Sequence, residues 1–344
     1  VMKFPVRWKG MDAERDRWEN DFLKRSVAPR DIKKLQEFTG YCLRTNEYPF
    51  KKALMMVGGG NNGKGVYEQV LCGLLGTNHT MHDDLKDLSD NQFGAQRLRH
   101  NAANINSDID GNEIGNTSIF KKLTGRDPIR VEPKFQQAYS IQNPAKLRFA
   151  ANSVPSVDDA TLAFYARWCF IHFPNKFTTR DDQYMDADPD IHKDIVANEL
   201  AGVLAWAVEG YQRLHQQEHF TGEADPGEVR SRWHEYADTT ATFVRNYVEV
   251  GNTPNPKDTQ IDHKFRVDQM YDYYEHFIAS TPTAPETKQT LSAYIKNRFE
   301  DAETVTSRKA VRDDENKDAV RVWDGVHIPQ SGREEIDERY KESL

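Results

Sequence analysis

Cysteine is scarce in this chain: Cys42, Cys72 and Cys169 stand singly, with no CxxC pair and no histidine cluster nearby. That spacing excludes a disulfide framework and offers no zinc site, so the three are read as ordinary reduced thiols. Long apolar runs are missing too. Nothing approaches the roughly 18 consecutive apolar residues that a membrane-spanning helix needs, and the opening VMKFPVRWKG lacks the apolar stretch of a secretory signal. The expectation is a cytoplasmic or equivalent location with no membrane partner. Positive charge is also in deficit, because 46 Lys and Arg face 54 Asp and Glu, for a formal net charge of -8. A globally acidic chain counts mildly against nucleic acid, although phosphate contacts need only local Lys and Arg.

What remains is ample for folding. An apolar fraction of 38% and six tryptophans can build a core, while 29% charged residues and a mean hydropathy of -0.80 give a very polar surface. At 344 residues the chain exceeds the usual size of one core, which favours two domains.

Periodicity orders the first half. From Arg30 to Leu43, Ile32, Leu35, Phe38 and Cys42 recur at helical spacing. In KALMMVGGGNNGKGVYEQVL, the short apolar run Ala53–Val57, the glycines and the stretch Val66–Leu75 predict strand, loop and helix. Apolar runs at Ala102–Ile109, Leu147–Ala151 and Trp168–Phe173 read as further buried strands. The fold class is therefore α/β, with a partly parallel sheet. Residues 192–215 carry the apolar stripe of one or two closing helices.

Gly222, Pro226 and Gly227 interrupt that periodicity and place a boundary near residue 225. Beyond it, the pattern predicts helices near Tyr236–Val250, Val267–Ile278 and Lys288–Phe299. An extended pair around Glu303–Val311 and Ala319–Ile328 follows, joined by a charged DDENKD turn. Three helices and a hairpin spell a winged helix. The expected organisation is a helical segment over 1–45, an ATPase domain over 46–225 and a winged-helix domain over 226–344.

The segment Gly58-Gly59-Gly60-Asn61-Asn62-Gly63-Lys64-Gly65 fits the phosphate-loop spacing G-x-x-x-x-G-K. Glycines let successive backbone N–H groups turn toward one anion. The helix N-terminus adds its dipole, and Lys64 can reach the β- and γ-phosphates of ATP. The bland alternative, a glycine-rich turn with an exposed lysine, lacks the strand and helix that flank this loop. One position departs from the pattern, since Gly65 stands where Ser or Thr normally gives a hydroxyl to Mg²⁺. Magnesium keeps several waters, so a water can take that place.

With these residues in hand, the chain resembles a superfamily 3 helicase of the phage and plasmid primase-helicase group, related also to poxvirus primase-helicases. Gly58, Gly60, Asn62, Gly63 and Lys64 match the family loop G-x-G-x-N-G-K. NINSDID resembles its Walker B segment, FKKLTGRDPIRVEPKFQQAYSIQNPAKLRF its B-prime motif and hairpin, AANSVP its sensor motif, and FYARWCFIHF its arginine-finger segment. The likeness spans nearly the whole chain and implies an AAA+-like ATPase that assembles into a ring, a hexamer by the resemblance. It also implies 3′ to 5′ movement along one DNA strand and a primase domain or protein as partner.

The resemblance gives the acids their roles. Asp108 is favoured as the Mg²⁺-holding carboxylate, with Asp110 and Glu113 as substitutes, and any of them can equally be a solvated loop acid. Asn152, after the strand LRFAA, would hold the lytic water and γ-phosphate, or else simply start a turn before Pro155. Arg167 would reach a neighbour's γ-phosphate across a subunit interface, or else be an ordinary surface arginine.

Single-stranded and forked DNA would meet a central-channel hairpin through Arg130, Lys134, Phe135 and Lys146, with Lys121 and Lys122 of similar standing. A basic and aromatic hairpin is otherwise a solvated turn. In the tail, Lys288, Lys296 and Arg298 on a helix and Arg308, Lys309 and Arg312 on a wing suit DNA. The neighbouring acids, among them Glu303 and Asp313, make protein docking nearly as good a reading. The stripe Tyr271, Tyr274 and Phe277 reads as core. Two further functions stay open: an initiator or loader that uses ATP only as an assembly switch, and a P-loop kinase, for which the chain has no small-substrate lid and too long a tail.

Overall fold

The structure is a computed structural model describing residues 2–90, 92–107, 109, 117–131, 137–155, 157, 161–179, 185–251, 265–281, 283, 285–299, 302–307 and 320–343. Asp108, Asp110, Glu113, Lys134, Phe135, Arg308, Lys309 and Arg312 lie outside the described residues. Two units divide the chain, Val1–Trp233 and His234–Leu344.

In the first unit, β1 (Ala53–Val57) is buried along its entire length. A strand that is apolar on both sides needs cover on both faces, which is the situation of a strand inside a parallel sheet. The other strands of this unit are β2 (Thr80–Met81), β3 (Ala103–Asn106), β4 (Ile129–Val131), β5 (Tyr139–Ile141), β6 (Lys146–Ala151), β7 (Trp168–His172), β8 (Phe177–Thr178) and β9 (Met185–Asp186). Five of them form one sheet in the order β2-β3-β6-β1-β7, with every neighbouring pair parallel. The order matters because β6 is inserted between β1 and β3. Val57 lies opposite Ala151 and Asn106 opposite Phe149, so the loops that leave β1, β3 and β6 emerge side by side at the carboxyl edge of the sheet.

Helix α1 (Pro29–Cys42) opens with proline at its first turn, where no intrahelical N–H bond is lost. Leu35, Phe38 and Cys42 are fully buried on it. Helix α2 (Lys64–Leu75) follows the glycine loop, and α3 (Leu200–Gln217) packs along α1. Glycine permits that close crossing. A Cβ on Gly40 would lie 2.1 Å from the carbonyl oxygen of Ala207, and one on Gly210 would lie 2.5 Å from that of Gln36.

The N-terminal segment joins the same core. A π-helical stretch, Arg17–Leu23, continues into the turn Lys24–Ser26, burying Trp18, Phe22 and Leu23. Trp18 meets Trp206 edge-on at 5.3 Å and stacks on Tyr67 at 6.2 Å. Burial of about 2 kcal/mol per large apolar side chain is ample to hold this irregular helix against the unit. Glu199 accepts the backbone N–H groups of Arg17 and Trp18 at 3.0 and 2.9 Å, satisfying two donors of its first turn.

Helix α4 (Pro226–Ala237) runs across the division between the units. Its Trp233 is fully buried in the first unit and donates its indole N–H to Pro155 O at 2.8 Å.

The second unit contains α5 (Thr239–Tyr247), β10 (Glu249–Val250), β11 (Phe265–Arg266), α6 (Val267–Ala279), α7 (Lys288–Arg298), β12 (Glu303–Ser307), β13 (Val320–Asp324), β14 (Val326–His327) and α8 (Gln330–Ser343). The expected helix near Tyr236–Val250 begins instead at Thr239. Asp238 accepts from Ala241 N at 2.8 Å and acts as an N-cap, separating α5 from α4. The expected extended pair is an antiparallel ladder, with Thr304 opposite Trp323. Strand β11 adds to its other side in the order β11-β13-β12, and β10 pairs with β14. Tyr274 and Phe277 are buried in this unit's core with Phe243, as their helical stripe predicts. Among the described residues no helix is long and apolar enough to cross a membrane.

Candidate functional site

The loop after β1 takes a conformation that few residues other than glycine adopt. Gly60 and Gly63 have φ of 90° and 95°, and Asn61, one of the few side chains that tolerates this region, has φ of 49°. Gly58 is required for a different reason, since a Cβ there would lie 2.0 Å from Asn62 Nδ2 and 2.6 Å from Phe173 O. The Asn62 amide donates to Phe173 O at 3.3 Å, fastening the loop to the residue just beyond β7.

Lys64 begins α2, whose N-terminus has no side-chain cap. The first-turn N–H groups and the helix dipole therefore face the cavity that the loop lines. The lysine is itself only 8% exposed. Its ammonium donates to Gly58 O and lies 3.4 Å from Asn152 Oδ1 at the end of β6. Three segments far apart in the chain thus meet here: the loop after β1, Ser107 after β3 and Asn152 after β6.

The cavity measures about 510 Å³. Below it, Arg148 on β6 is fully buried. Its guanidinium donates to Asn106 O at 3.1 Å, to Lys64 O at 3.2 Å and to Glu68 Oε2 at 3.4 Å, joining β3, β6 and α2. Burial pushes this guanidinium down and Glu68 opposes the shift, yet an arginine stays charged in proteins. Nearby on β7, burial pushes the His172 imidazole down to about 4, with Asp31 opposing and Lys64 adding to the shift. It is neutral at physiological pH.

The opposite wall comes from two segments that the sequence did not mark. Phe22, Arg25 and Ser26 approach from the N-terminal helix, and Phe177, 186–189, Ile191 and His192 from beyond β7. Arg25 lies over the Phe177 ring at 5.5 Å and donates to Asp186 O at 3.0 Å. Among the described residues the buried Ser26 hydroxyl has no hydrogen-bond partner. No local pattern announces these contacts, because a lone Arg, Phe or Ser in a polar stretch carries no spacing signal.

Of the residues expected at the site, Gly60, Asn62, Gly63, Lys64, Gly65 and Asn152 line one cavity, with Gly58 bonded to Lys64 at its edge. Arg167 is not among the lining residues. It is half-buried, and its guanidinium donates to Lys121 O at 3.3 Å and Ala163 O at 3.0 Å. Burial pushes it down, with Asp127 opposing.

The hairpin expected around Arg130 exists as the antiparallel pair β4–β5, with Arg130 exposed opposite Ser140. Lys121 is half-buried and Lys122 exposed on the helix Thr117–Gly125. Lys146 requires correction. It belongs to β6 rather than the hairpin and is fully buried. Its ammonium donates to Arg44 O and to Pro144 O at 2.7 Å, and it lies over the Tyr41 and Tyr48 rings at 4.8 and 5.2 Å. A side chain held in that way cannot touch DNA in this fold.

Residues 56–167 match the model of a family of unknown function, DUF5906. Among solved structures, the A form of the apo NrS-1 C-terminal region is 13% identical, over 92% of this chain and 78% of that one, with a TM-score of 0.42. A second apo structure of that region is 12% identical over the same shares, with a TM-score of 0.37. A JCV helicase structure with a bound small molecule is 12% identical over 60% of this chain and 65% of that one, with a TM-score of 0.27.

Proposed function

We propose that this chain is an ATP-dependent DNA helicase of the superfamily 3 type, serving replication of a plasmid, virus or integrated element. The observation that carries the reading is the convergence of Lys64, the N-terminus of α2 and Asn152 on one cavity, with Lys64 Nζ 3.4 Å from Asn152 Oδ1. In this reading the loop is a phosphate loop. Its backbone N–H groups hold the ATP phosphates, Lys64 meets the β- and γ-phosphates, and Asn152 orients the attacking water.

Oxygen donors along the cavity include those of Ser107, Glu68 and Asn152, which suits a hard cation bound together with nucleotide. Bound Mg²⁺ would supply charge neutralisation at the β- and γ-phosphates, with Asp108 as its protein carboxylate and Asp110 as the substitute.

Hydrolysis then requires subunits to cooperate. Arg167 completes the neighbouring subunit's site in a ring, six-membered by family likeness, and the β4–β5 hairpins carrying Lys134 and Phe135 track one strand 3′ to 5′. Lys121, Lys122 and Arg130 add phosphate contacts. The second unit is a winged helix, a reading supported by its helices α5, α6 and α7 and by the antiparallel sheet β11-β13-β12. It docks DNA or a protein such as a primase.

The test is ATP turnover with and without single-stranded DNA, then strand displacement from forks with a 3′ or a 5′ tail. Stimulation with displacement only from the 3′-tailed fork is expected, and loss of stimulation in Lys134→Ala. The second reading, an ATP-switched initiator or loader, is favoured by Gly65 and would give nucleotide-dependent assembly without displacement.

A further inference from the structure

Gly65 is the one loop position lacking the donor that phosphate-loop chemistry normally employs, and the helix face around it is open. Among the described residues, a Cβ placed on Gly65 would meet no atom within 4 Å beyond its chain neighbours and its own helix backbone. Glu68 follows one turn later on α2 and lines the same cavity as Lys64, Gly65, Ser107 and Asn152. Helical side chains lean toward the helix N-terminus, so a residue at i+3 covers the surface over position i. With no side chain at 65, Glu68 is the acid of α2 that lines the cavity beside that space.

Its surroundings fix it there. Oε2 accepts the Ser107 hydroxyl and sits 3.4 Å from Arg148 Nη1. Oε1 has no hydrogen-bond partner among the described residues. His82 Nδ1 lies 3.9 Å from Oε1 and is engaged with Ile105 O at 2.7 Å. The carboxylate thus keeps one oxygen without a hydrogen bond among the described residues while a buried guanidinium and a hydroxyl anchor the other.

Such a group suits a water-carrying ion better than a bare one. Among the described residues no group of three or more His, Cys, Asp and Glu could hold a metal by itself. In the nucleotide-site reading the ion arrives with phosphate. Magnesium bound in that way retains several waters, and those waters need acceptors. Glu68, oriented by Arg148 and paired with Ser107, is placed to be one.

We propose that Glu68 and Ser107 hold the water shell of nucleotide-bound magnesium in the space that Gly65 leaves open, replacing the hydroxyl that phosphate loops usually carry there. This assignment rests on the nucleotide-site reading above and makes Glu68 a positioning residue, acting through the ion's waters.

The test is binding of a fluorescent ATP analogue, mant-ATP, to the full chain, titrated with free Mg²⁺ and repeated in EDTA. Loss of an outer-shell partner typically weakens metal affinity 10- to 100-fold. Glu68→Gln and Ser107→Ala should each raise the half-saturating Mg²⁺ concentration at least about tenfold while leaving affinity in EDTA unchanged. Adding Gly65→Ser to either should restore a low requirement, because the hydroxyl then occupies the vacant position. A purely structural role for Glu68 predicts no such rescue. Ser107→Ala leaves the Glu68–Arg148 pair intact, so it reads the same function if Glu68→Gln folds poorly. An Mg²⁺ requirement unaltered in both variants overturns the assignment alone. Failure of the unsubstituted chain to bind mant-ATP overturns the nucleotide site and the assignment with it.

Discussion

Lys64 Nζ and Asn152 Oδ1 lie 3.4 Å apart, one at the first residue of α2 and the other just past β6. The contact exists because β6 is the immediate parallel neighbour of β1, which brings two loops from distant parts of the chain to one edge of the sheet. Lys64 there meets a carbonyl oxygen, Gly58 O, as well as that amide oxygen.

Lys64→Ala should abolish ATP hydrolysis, and Asn152→Ala should lower turnover about a hundredfold, the usual cost of losing one positioned polar group in a reacting site. Steady-state phosphate release checks both. Thermal melting should stay close to that of the parent protein, and normal turnover in Lys64→Ala would remove the phosphate-loop reading.

The loop glycines should separate by their surroundings. Gly58→Ala drives a methyl into Asn62 and the Phe173 carbonyl and should destabilise by about 1–3 kcal/mol, the range for overpacking. Gly65→Ser enters open space at an ordinary helical position and should stay within about 0.5 kcal/mol of the parent. Urea unfolding of the two variants decides; equal costs would mean that the loop relaxes freely.

Lys146 should impose a pH dependence on stability. Burial pushes its ammonium down to about 7, against 10.5 for the ordinary side chain. The unfolded chain therefore binds more protons than the folded one between those values, and stability rises with pH across that window. The contribution approaches 1.4 kcal/mol per pH unit at most, one proton's worth. It is best read just above pH 7, below the ordinary cysteine value of 9.0. Unfolding free energies of the parent minus those of Lys146→Met should rise along this range. A flat difference would mean that the buried ammonium keeps an ordinary affinity for its proton.

Arg167 offers a test of assembly. If it completes a neighbour's site, Lys64→Ala and Arg167→Ala proteins should each be nearly inactive. An equal mixture that exchanges subunits at random leaves roughly a quarter of interfaces intact. ATP turnover should reappear in the mixture, with mass photometry verifying mixed assemblies. Mixed rings without turnover would return Arg167 to a role within its own subunit, where it holds Lys121 O and Ala163 O.

Much of this was legible along the chain. The strand ALMMV, its glycines and the following apolar stripe predict the strand, loop and helix found at β1 and α2, because glycine torsions and side-chain periodicity are local properties. The apolar runs behind β3, β6 and β7 are of the same kind. In the second unit, α6 and α7 begin at the residues where their stripes begin. Helix α8 was not legible, since its one fully buried apolar residue, Ile336, sets no period.

Sequence alone determined β1, β3, β6, β7, α1 and α2 and the glycine loop between β1 and α2, since those depend on torsions and spacing within a few residues. Tertiary structure decided which residues surround that loop. Arg148, Arg25 and Ser26 reach it only through the order β2-β3-β6-β1-β7 and the docking of the N-terminal helix, and no local spacing encodes either. The same distinction separates two basic residues that look alike in sequence. Arg130 stays exposed on the β4–β5 hairpin, whereas Lys146 begins a central strand and is enclosed by Tyr41, Tyr48 and two carbonyls. Burial of a charge is set by what the rest of the chain packs around it.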